Sequence, residues 1–257
     1  MSARWRFVLV ATAVVAASVA LAEALTGGAA RSHHSGRRAA AGRRRSLPLT
    51  RRVLLGRSVD GRAIYAVELG DRRLPTSLLL VGCIHGNEPA GIPVARALEA
   101  HPPAAHVWVI DDLNPDGVAA DTRQNAQGID LNRNLPWRWR PLSHQSGQYS
   151  GPRALYAPEA RLAERFILRA RPHVTVWFHQ PLAVVDQSGG DPAVERRFAR
   201  LAGMRETRLT RYPGSAVGWQ NHVLPATTAF VVELPRGRVP HALSERLVGA
   251  LRALAAG

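Results

Sequence analysis

The sequence predicts an α/β fold, a single domain with a mixed, mostly parallel, twisted sheet and helices on both faces. Beyond residue 77, short apolar runs alternate with longer segments of helical periodicity, as strands and helices do in such sheets. The 257 residues are 46% hydrophobic, which is enough for one sizeable core. His85, His179 and Glu233 each lie at or near the predicted end of a strand, where functional groups gather in open α/β sheets.

The individual elements follow from apolar runs and the residues that flank them. Residues 78–81 are continuously apolar, which is typical of a buried strand, and Pro89 favours a helix directly after it. Asp191 is a typical N-cap, and the polar residues 114–117 predict a turn. The predicted strands are 53–55, 63–69, 78–81, 106–110, 174–178 and 228–234, and the predicted helices are 90–100, 158–170, 191–202 and 241–255.

The positive charge is uneven along the chain. All 34 basic residues are Arg, and the formal net charge is +15. Residues 1–52 hold ten Arg against one acid, Glu23, and so supply +9, which leaves +6 for the rest. Because much of the charge belongs to the N-terminal segment, it does not indicate a nucleic-acid-binding domain, and we expect no nucleic-acid partner.

The N-terminus has the features of an export signal. Arg4 and Arg6 precede the uncharged, largely apolar residues 7–22, which end in the small-x-small motif Ala-Leu-Ala. We expect the bulk of the protein outside the cytoplasm, extracellular or at the cell wall, with membrane contact only through an uncleaved leader. The predicted organisation is an export signal or N-terminal anchor at 1–25, a disordered Arg-rich tether at 26–52 and a catalytic domain at 53–257.

Three residues are candidate metal ligands. His85 and Glu88 follow the 78–81 strand three residues apart, so their side chains can converge, and His179 follows a second strand. Each alone fits an ordinary polar turn or a packed histidine, but together they form a donor set for Zn²⁺. A hydrolytic zinc site needs three protein ligands and one position for water. We therefore predict one Zn²⁺ per chain.

Glu233 closes the apolar residues 229–232. A carboxylate there is costly unless it is paired or functional, and burial raises its pKa. Such a carboxyl group suits a general base that takes a proton from water at the metal and returns it to the leaving nitrogen. The alternative is an ordinary ion pair with Arg236.

Residues 118–156 lack clear periodicity, and a loop of that length in a compact domain is usually functional. It contains Arg123 and Arg133 on either side of a polar segment. Arginines in a structured loop can bind a carboxylate or stabilise a developing oxyanion. Without a metal nearby, they would form an ordinary solvated basic loop.

The order of these motifs resembles the zinc carboxypeptidase family over about residues 54–250. The matching residues are His85-x-x-Glu88, Asn114-Pro115-Asp116-Gly117, Thr122-Arg123, Asp130-x-Asn132-Arg133-Asn134, His179 and Val232-Glu233-Leu234. The resemblance implies the fold of that family and a zinc-dependent hydrolase. The short domain and residues 149–152 and 212–215 are similar to its bacterial murein peptide amidase branch, which cleaves the γ-D-glutamyl to diaminopimelate bond of cell-wall peptides.

The resemblance also implies a role for each residue that matches a motif. It assigns zinc binding and proton transfer to the candidate ligands and Glu233, and it assigns contacts with the substrate to residues of the loop between them. The implied roles are zinc binding by His85, Glu88 and His179, general base and acid for Glu233, oxyanion stabilisation by Arg123, substrate-carboxylate binding by Asn132 and Arg133, and orientation of a zinc-bound histidine by Asp130.

One departure from the family bears on the substrate. Digestive carboxypeptidases carry a mobile Tyr ahead of the final Glu strand, whereas residues 214–220 offer Trp219, which favours the amidase branch. We expect a monomer that acts on a peptide, a cell-wall muropeptide. The alternatives are a conventional exported metallocarboxypeptidase, an aspartoacylase-type deacylase, an inactive wall-binding module and a cysteine hydrolase built on Cys83, the single cysteine.

Overall fold

The computed structural model of the protein describes residues 49–257. The predicted export signal or anchor at 1–25 lies outside the described residues, as does the predicted tether up to residue 48. Residues 49–52, predicted as the end of the tether, instead begin the first strand, where Arg51 forms a 2.8 Å ion pair with Glu68. These four residues therefore belong to the folded domain.

The described chain forms an eight-stranded sheet with helices on both faces. The sheet order is β1-β2-β4-β3-β5-β8-β6-β7. The strands are β1 (Leu49–Arg57), β2 (Ala63–Gly70), β3 (Thr76–Val81), β4 (His106–Ile110), β5 (Val174–His179), β6 (Leu182–Asp186), β7 (Arg205–Thr207) and β8 (Thr228–Pro235). The helices are α1 (Gly91–Ala100), α2 (Pro115–Ala120), α3 (Pro158–Ala170), α4 (Pro192–Ala202), α5 (Ala216–Val223) and α6 (His241–Ala255), with a 3₁₀ turn at Leu131–Arg133.

The centre of the sheet is parallel and its flanks are antiparallel. Strands β4, β3, β5 and β8 pair in parallel, whereas β1, β2 and β4 pair antiparallel at one side and β6 pairs antiparallel with β8 at the other. β7 adds a parallel edge to β6. The predicted mixed α/β sheet is therefore confirmed, and the carboxyl ends of its central strands lie side by side.

The core forms one layer on each face of the sheet. Alternate residues of a strand point to opposite faces, so Leu79 and Val81 join one layer while Leu78 and Leu80 join the other. Helices α3 and α5 cover the first face, and α1, α4 and α6 cover the second. Because the central strands are buried on both faces, they read as continuous apolar runs in the sequence.

The structure corrects one predicted turn and adds elements that the sequence analysis lacks. Residues 114–117, predicted as a turn, begin helix α2: the Asn114 side chain accepts a 3.0 Å hydrogen bond from the Gly117 amide, and Pro115 is the first helical residue. Strands β6 and β7 and helix α5 were not predicted. Within residues 49–257, no helix has the length and apolar character needed to cross a bilayer.

Candidate metal centre and substrate cavity

Three predicted ligands meet at the carboxyl ends of β3 and β5. These strands are parallel neighbours, so His85 and Glu88, which follow β3, lie beside His179, the last residue of β5. One Glu88 carboxylate oxygen, Oε2, lies 2.9 Å from Nδ1 of each histidine. The two Nδ1 atoms are 3.1 Å apart. Residues separated by about ninety positions in the chain thus converge on one point.

The chemistry and spacing of this cluster fit a zinc ion. Two imidazole nitrogens and a carboxylate oxygen are a zinc donor set, and these three residues form the candidate metal cluster of the described chain. Ligand atoms about 2.1 Å from a tetrahedral ion lie roughly 3.4 Å apart, so the observed separations need to widen by only a few tenths of an ångström. Burial favours neutral Glu88, but hydrogen bonds from His179 and His85 outweigh it and lower the pKa of Glu88, which keeps the ligand ionised.

Asp130 and Arg123 form hydrogen bonds that hold the cluster in place. The buried Asp130 places Oδ1 3.0 Å from Nε2 of His85, which leaves Nδ1 of that ring for the cluster. Arg123 donates from Nε to Asp130 Oδ2 at 2.9 Å and from Nη1 to Glu88 Oε1 at 3.0 Å. Burial opposes ionisation of Asp130, but the charges of His85 and Arg123 prevail and lower its pKa. The arrangement fixes the rotation of His85.

Glu233 lies next to the cluster on β8. The register places it directly beside His179 of β5, so both side chains face the same side of the sheet. Its Oε2 is buried and lacks a hydrogen-bond partner among residues 49–257, and the predicted alternative, an ion pair with Arg236, does not form there. Burial, reinforced by the charge of Glu88, raises the pKa of Glu233 to about 7. Such a carboxyl group can exchange a proton near neutral pH.

Arg133 is a buried cation beside these groups. Only 3% of the residue is exposed, yet it forms no ion pair with any described acidic residue. Its Nε donates to Gln148 Oε1 at 3.1 Å, its Nη1 donates to the Asn132 carbonyl at 2.7 Å, and its guanidinium lies 4.1 Å from the centre of the Tyr212 ring. Burial lowers the pKa of Arg133. A buried guanidinium without an ion-pair partner is suited to binding a carboxylate.

These side chains line one cavity of about 570 Å³. The cluster, Glu233, Arg123 and Arg133 all contribute to its surface. Asn132 lies there as well, with its amide nitrogen 3.4 Å from Nε2 of His179 and its side-chain oxygen accepting from the Ala216 amide at 2.8 Å. Asp130 is the one predicted site residue that lies behind the cavity rather than on its wall.

Trp219, the aromatic residue on which the comparison with digestive carboxypeptidases rests, does not line the cavity. Trp219 is 2% exposed and packs in the core, because it lies on the buried face of α5. Tyr212 lines the cavity instead, with 44% of its surface exposed. The inference drawn from Trp219 is therefore wrong, and the missing-Tyr argument for the amidase branch no longer holds.

Sequence reasoning also missed Asp186 and Arg211, which line the same cavity. Asp186 ends the partly apolar strand β6, the same signature that pointed to His179 and Glu233. A search for charged residues at the end of every short apolar run would have found it.

Cys83 lies near the cluster but is not placed to act as a nucleophile. It is buried, its sulfur lies 3.1 Å from the His85 carbonyl oxygen, and burial raises the pKa of its thiol. A nucleophilic cysteine needs an accessible thiolate and an oriented base. The cysteine-hydrolase alternative therefore has no structural support.

Comparison with known proteins agrees with this geometry. Residues 104–185 match the zinc carboxypeptidase family (Peptidase_M14). The chain is 32% identical over 202 residues to murein peptide amidase A of Vibrio campbellii, covering 70% of this chain and 77% of the relative. It is 28% identical over 121 residues to carboxypeptidase SOL1 of Arabidopsis thaliana, covering 39% of this chain. It spans only 24% of that longer relative.

The fold has a close counterpart among solved structures. Murein-tripeptide amidase MpaA from Escherichia coli O157 superposes with a TM-score of 0.66 at 23% identity, covering 79% of this chain and 91% of that one. At that identity the likeness concerns the fold. Nearly the whole of that structure has an equivalent in this chain.

Proposed function

This chain belongs to the zinc carboxypeptidase family, and from that premise we propose that it hydrolyses a peptide or amide bond next to a carboxylate-bearing residue. The family's hydrolases depend on zinc, and we assign His85, Glu88 and His179 as the residues that hold one Zn²⁺ per chain. When bound there, the ion supplies Lewis-acid polarisation of the scissile carbonyl and lowers the pKa of water.

The remaining groups divide the proton transfer and the charge stabilisation between them. Glu233, with its pKa raised to about 7, takes a proton from the attacking water and passes it to the leaving nitrogen. Arg123 is held by Glu88 and Asp130, and it stabilises the negative charge that develops on the carbonyl oxygen. Removing one such donor costs about 3 kcal/mol in comparable sites.

The single observation that carries the proposal is the buried Arg133 beside the cluster. The cavity places this cation, which forms no ion pair with a described residue, on one surface with the three-ligand cluster and the unpartnered Oε2 of Glu233. A substrate carboxylate at Arg133 and Asn132 would set the neighbouring bond over the proton-transfer group. Recognition of a terminal carboxylate and hydrolysis of the adjacent bond therefore use one arrangement.

We propose a cell-wall peptide as the substrate, cleaved between γ-D-glutamate and diaminopimelate. The support is similarity to murein peptide amidases over most of their length, whereas the chain spans only a quarter of the plant carboxypeptidase. A conventional carboxypeptidase would use the same groups on ordinary C-terminal residues. An aspartoacylase-type deacylase would release an acyl group instead.

The test combines metal analysis with product identification. Purified protein should contain one Zn²⁺ per chain, and a chelator should abolish turnover until zinc is restored. Incubation with a γ-D-glutamyl-diaminopimelate peptide should release free diaminopimelate, while ordinary peptides should stay intact. Release of single C-terminal residues from ordinary peptides alone would select the carboxypeptidase, and a metal-free protein would overturn the hydrolase assignment.

We also propose that the enzyme acts outside the cytoplasm as a monomer. The charged and apolar pattern of residues 1–25 supports export, and a wall peptide is available there. N-terminal sequencing of protein recovered from culture medium and cell envelope should find a chain that starts near residue 23 if the leader is removed. Recovery of the full-length chain from the cytosol alone would contradict export.

A further inference from the structure

The cavity contains a third arginine, and the proposed reaction does not use it. Arg211 lines the cavity together with Asp186, and the two form an ion pair, with Arg211 Nη1 2.6 Å from Asp186 Oδ2. The Asp186 side chain is 3% exposed, whereas that of Arg211 is 36% exposed. The carboxylate is therefore part of the protein interior, and the guanidinium is the member of the pair that a ligand can reach.

Asp186 is already occupied by protein donors. Its Oδ1 accepts from the Leu209 amide at 2.8 Å, and its Oδ2 accepts from the Ser188 hydroxyl at 2.7 Å as well as from Arg211. Arg211 uses Nη1 alone in this pair, and its Nε and Nη2 have no partner within residues 49–257. Asp186 thus anchors the loop that contains Leu209 and Arg211. It also holds Arg211 so that the Nε and Nη2 donors of that side chain remain available to a ligand.

The sheet register shows where this pair lies relative to Glu233. Val184 of β6 pairs with Glu233 of β8, and Asp186 is two residues further along β6 on the same face. Two strand residues span about 7 Å, so Asp186 lies about 7 Å away from Glu233 measured along the strand direction. A side chain the size of lysine is long enough to cover such a distance.

We propose that Arg211, positioned by Asp186, binds a second carboxylate of the substrate, carried by the side chain of the released residue. This inference rests on the proposed function, in which Arg133 and Asn132 take the first carboxylate. A guanidinium with two free donors matches a carboxylate in a bidentate geometry. The substrate class is therefore a residue with carboxylates at both ends, and diaminopimelate belongs to it.

The competing occupant would be a basic side chain bound by Asp186. The structure disfavours it because Asp186 is buried, already accepts three hydrogen bonds and is neutralised by Arg211. An incoming ammonium group would have to displace Arg211 from its counter-charge. The two readings predict opposite preferences, which makes them separable.

Three matched peptides distinguish the two readings. Each has γ-D-glutamate followed by one residue: diaminopimelate, lysine, which lacks the distal carboxylate, or 2-aminopimelate, which lacks the distal amine. The zinc-loaded, full-length protein should cleave the diaminopimelate and 2-aminopimelate peptides with kcat/KM about 10- to 100-fold above that for the lysine peptide, the range expected for one charged hydrogen bond.

The variants assign that preference to a residue. Arg211→Met should lower kcat/KM for the two distal-carboxylate peptides toward that for the lysine peptide and so abolish the preference. Arg211→Lys should restore part of the preference, and Asp186→Asn should weaken it. Arg208→Met is the matched control, because Arg208 is an exposed arginine of the same loop that does not line the cavity.

The outcomes separate this inference from the proposed function. If the wild-type protein cleaves none of the three peptides, the proposed function fails. Cleavage of all three at similar rates, a preference for the lysine peptide, or an Arg211→Met variant that keeps the wild-type preference would overturn the role of Arg211 alone.

Discussion

The metal-ligand cluster and the β6 wall, by which we mean Asp186 and residues 209–212, border the same cavity but are built from different parts of the fold. The cluster lies at the ends of central parallel strands, and His85, its partner Asp130 and His179 are all buried. The β6 wall comes from the antiparallel flank of the sheet and a surface loop, where Arg211 and Tyr212 are partly exposed.

In our proposal, the cluster carries the chemistry of this domain, and the β6 wall selects the side chain of the substrate. The cluster is fixed by two apolar strands and by a buried network through Asp130, so few substitutions there preserve it. The β6 wall is held in place by one buried carboxylate, that of Asp186. Binding preferences change most easily in loops of this kind, which lie on a rigid scaffold. Under the proposed role of Arg211, a change in this wall would alter substrate preference while the cluster stays the same.

The sharpest test of the cluster side is Glu233→Gln. The amide cannot accept and return a proton, so kcat should fall by about 10²- to 10⁴-fold. The change leaves all three ligands in place, so zinc content and KM should stay close to wild type. Metal analysis and steady-state kinetics on one preparation check both statements. Turnover within a few-fold of wild type would show that Glu233 does not transfer the proton.

Arg133→Met tests the point at which the two regions meet, since Arg133 contacts Tyr212 of the β6 wall. Methionine keeps apolar contact with that ring but removes the charge that lacks an acidic partner. We expect kcat/KM to fall by about 10²-fold, mainly through KM, with zinc content unchanged. Wild-type enzyme should reject a substrate with an amidated C-terminus, and the variant should cleave the free acid and the amide equally slowly.

The exposed Arg140 offers the control for this substitution. Arg140→Met removes the same charge from the same loop but lies off the cavity wall, so its kinetics should match wild type. Equal losses in the two variants would mean that net charge, rather than a carboxylate site at Arg133, governs binding.

The metal-ligand cluster could be predicted from the sequence because strands buried on both faces have a recognisable pattern of continuous apolar residues. Strands β3 and β5 are buried on both faces and therefore read as continuous apolar runs, so a polar residue at the end of such a run stands out. Parallel strands bring those ends together whatever their separation in the chain. His85, His179 and Glu233 were found on that reasoning, and the structure places them side by side.

Apart from Asp186, the β6 wall could not be predicted, because its elements lack that pattern. β6 has five residues and its first two are exposed, and β7 has three with none fully buried. The loop between β7 and α5 has no periodicity, so nothing in the sequence shows that Tyr212 faces the cavity while Trp219 turns into the core. Tertiary packing determines which of these two aromatic residues faces the cavity.

The smallest expected effect concerns the pH dependence of the β6 wall's stability. Glu195 is buried behind this wall and accepts a 2.9 Å hydrogen bond from the amide of Ser188, the residue that also bonds Asp186. Burial, with the nearby charge of Asp186, raises the pKa of Glu195 to about 7. A comparable stability test is not possible at the metal-ligand cluster, because the pH dependence of zinc binding would be superimposed on that of the carboxyl groups there.

The sign follows from proton binding. The folded state holds the Glu195 proton more tightly than the unfolded state, so this contribution to stability is complete below the usual carboxyl pKa and is lost as pH rises through about 7. Glu195→Gln keeps a neutral acceptor, so it should match wild type near pH 4 and exceed it by on the order of 2 kcal/mol near pH 8. Urea unfolding of both proteins in metal-free form at each pH measures this difference. A pH-independent difference between Glu195→Gln and wild type would mean that Glu195 ionises in the folded protein as it does in the unfolded chain, and that the β6 wall tolerates the charge.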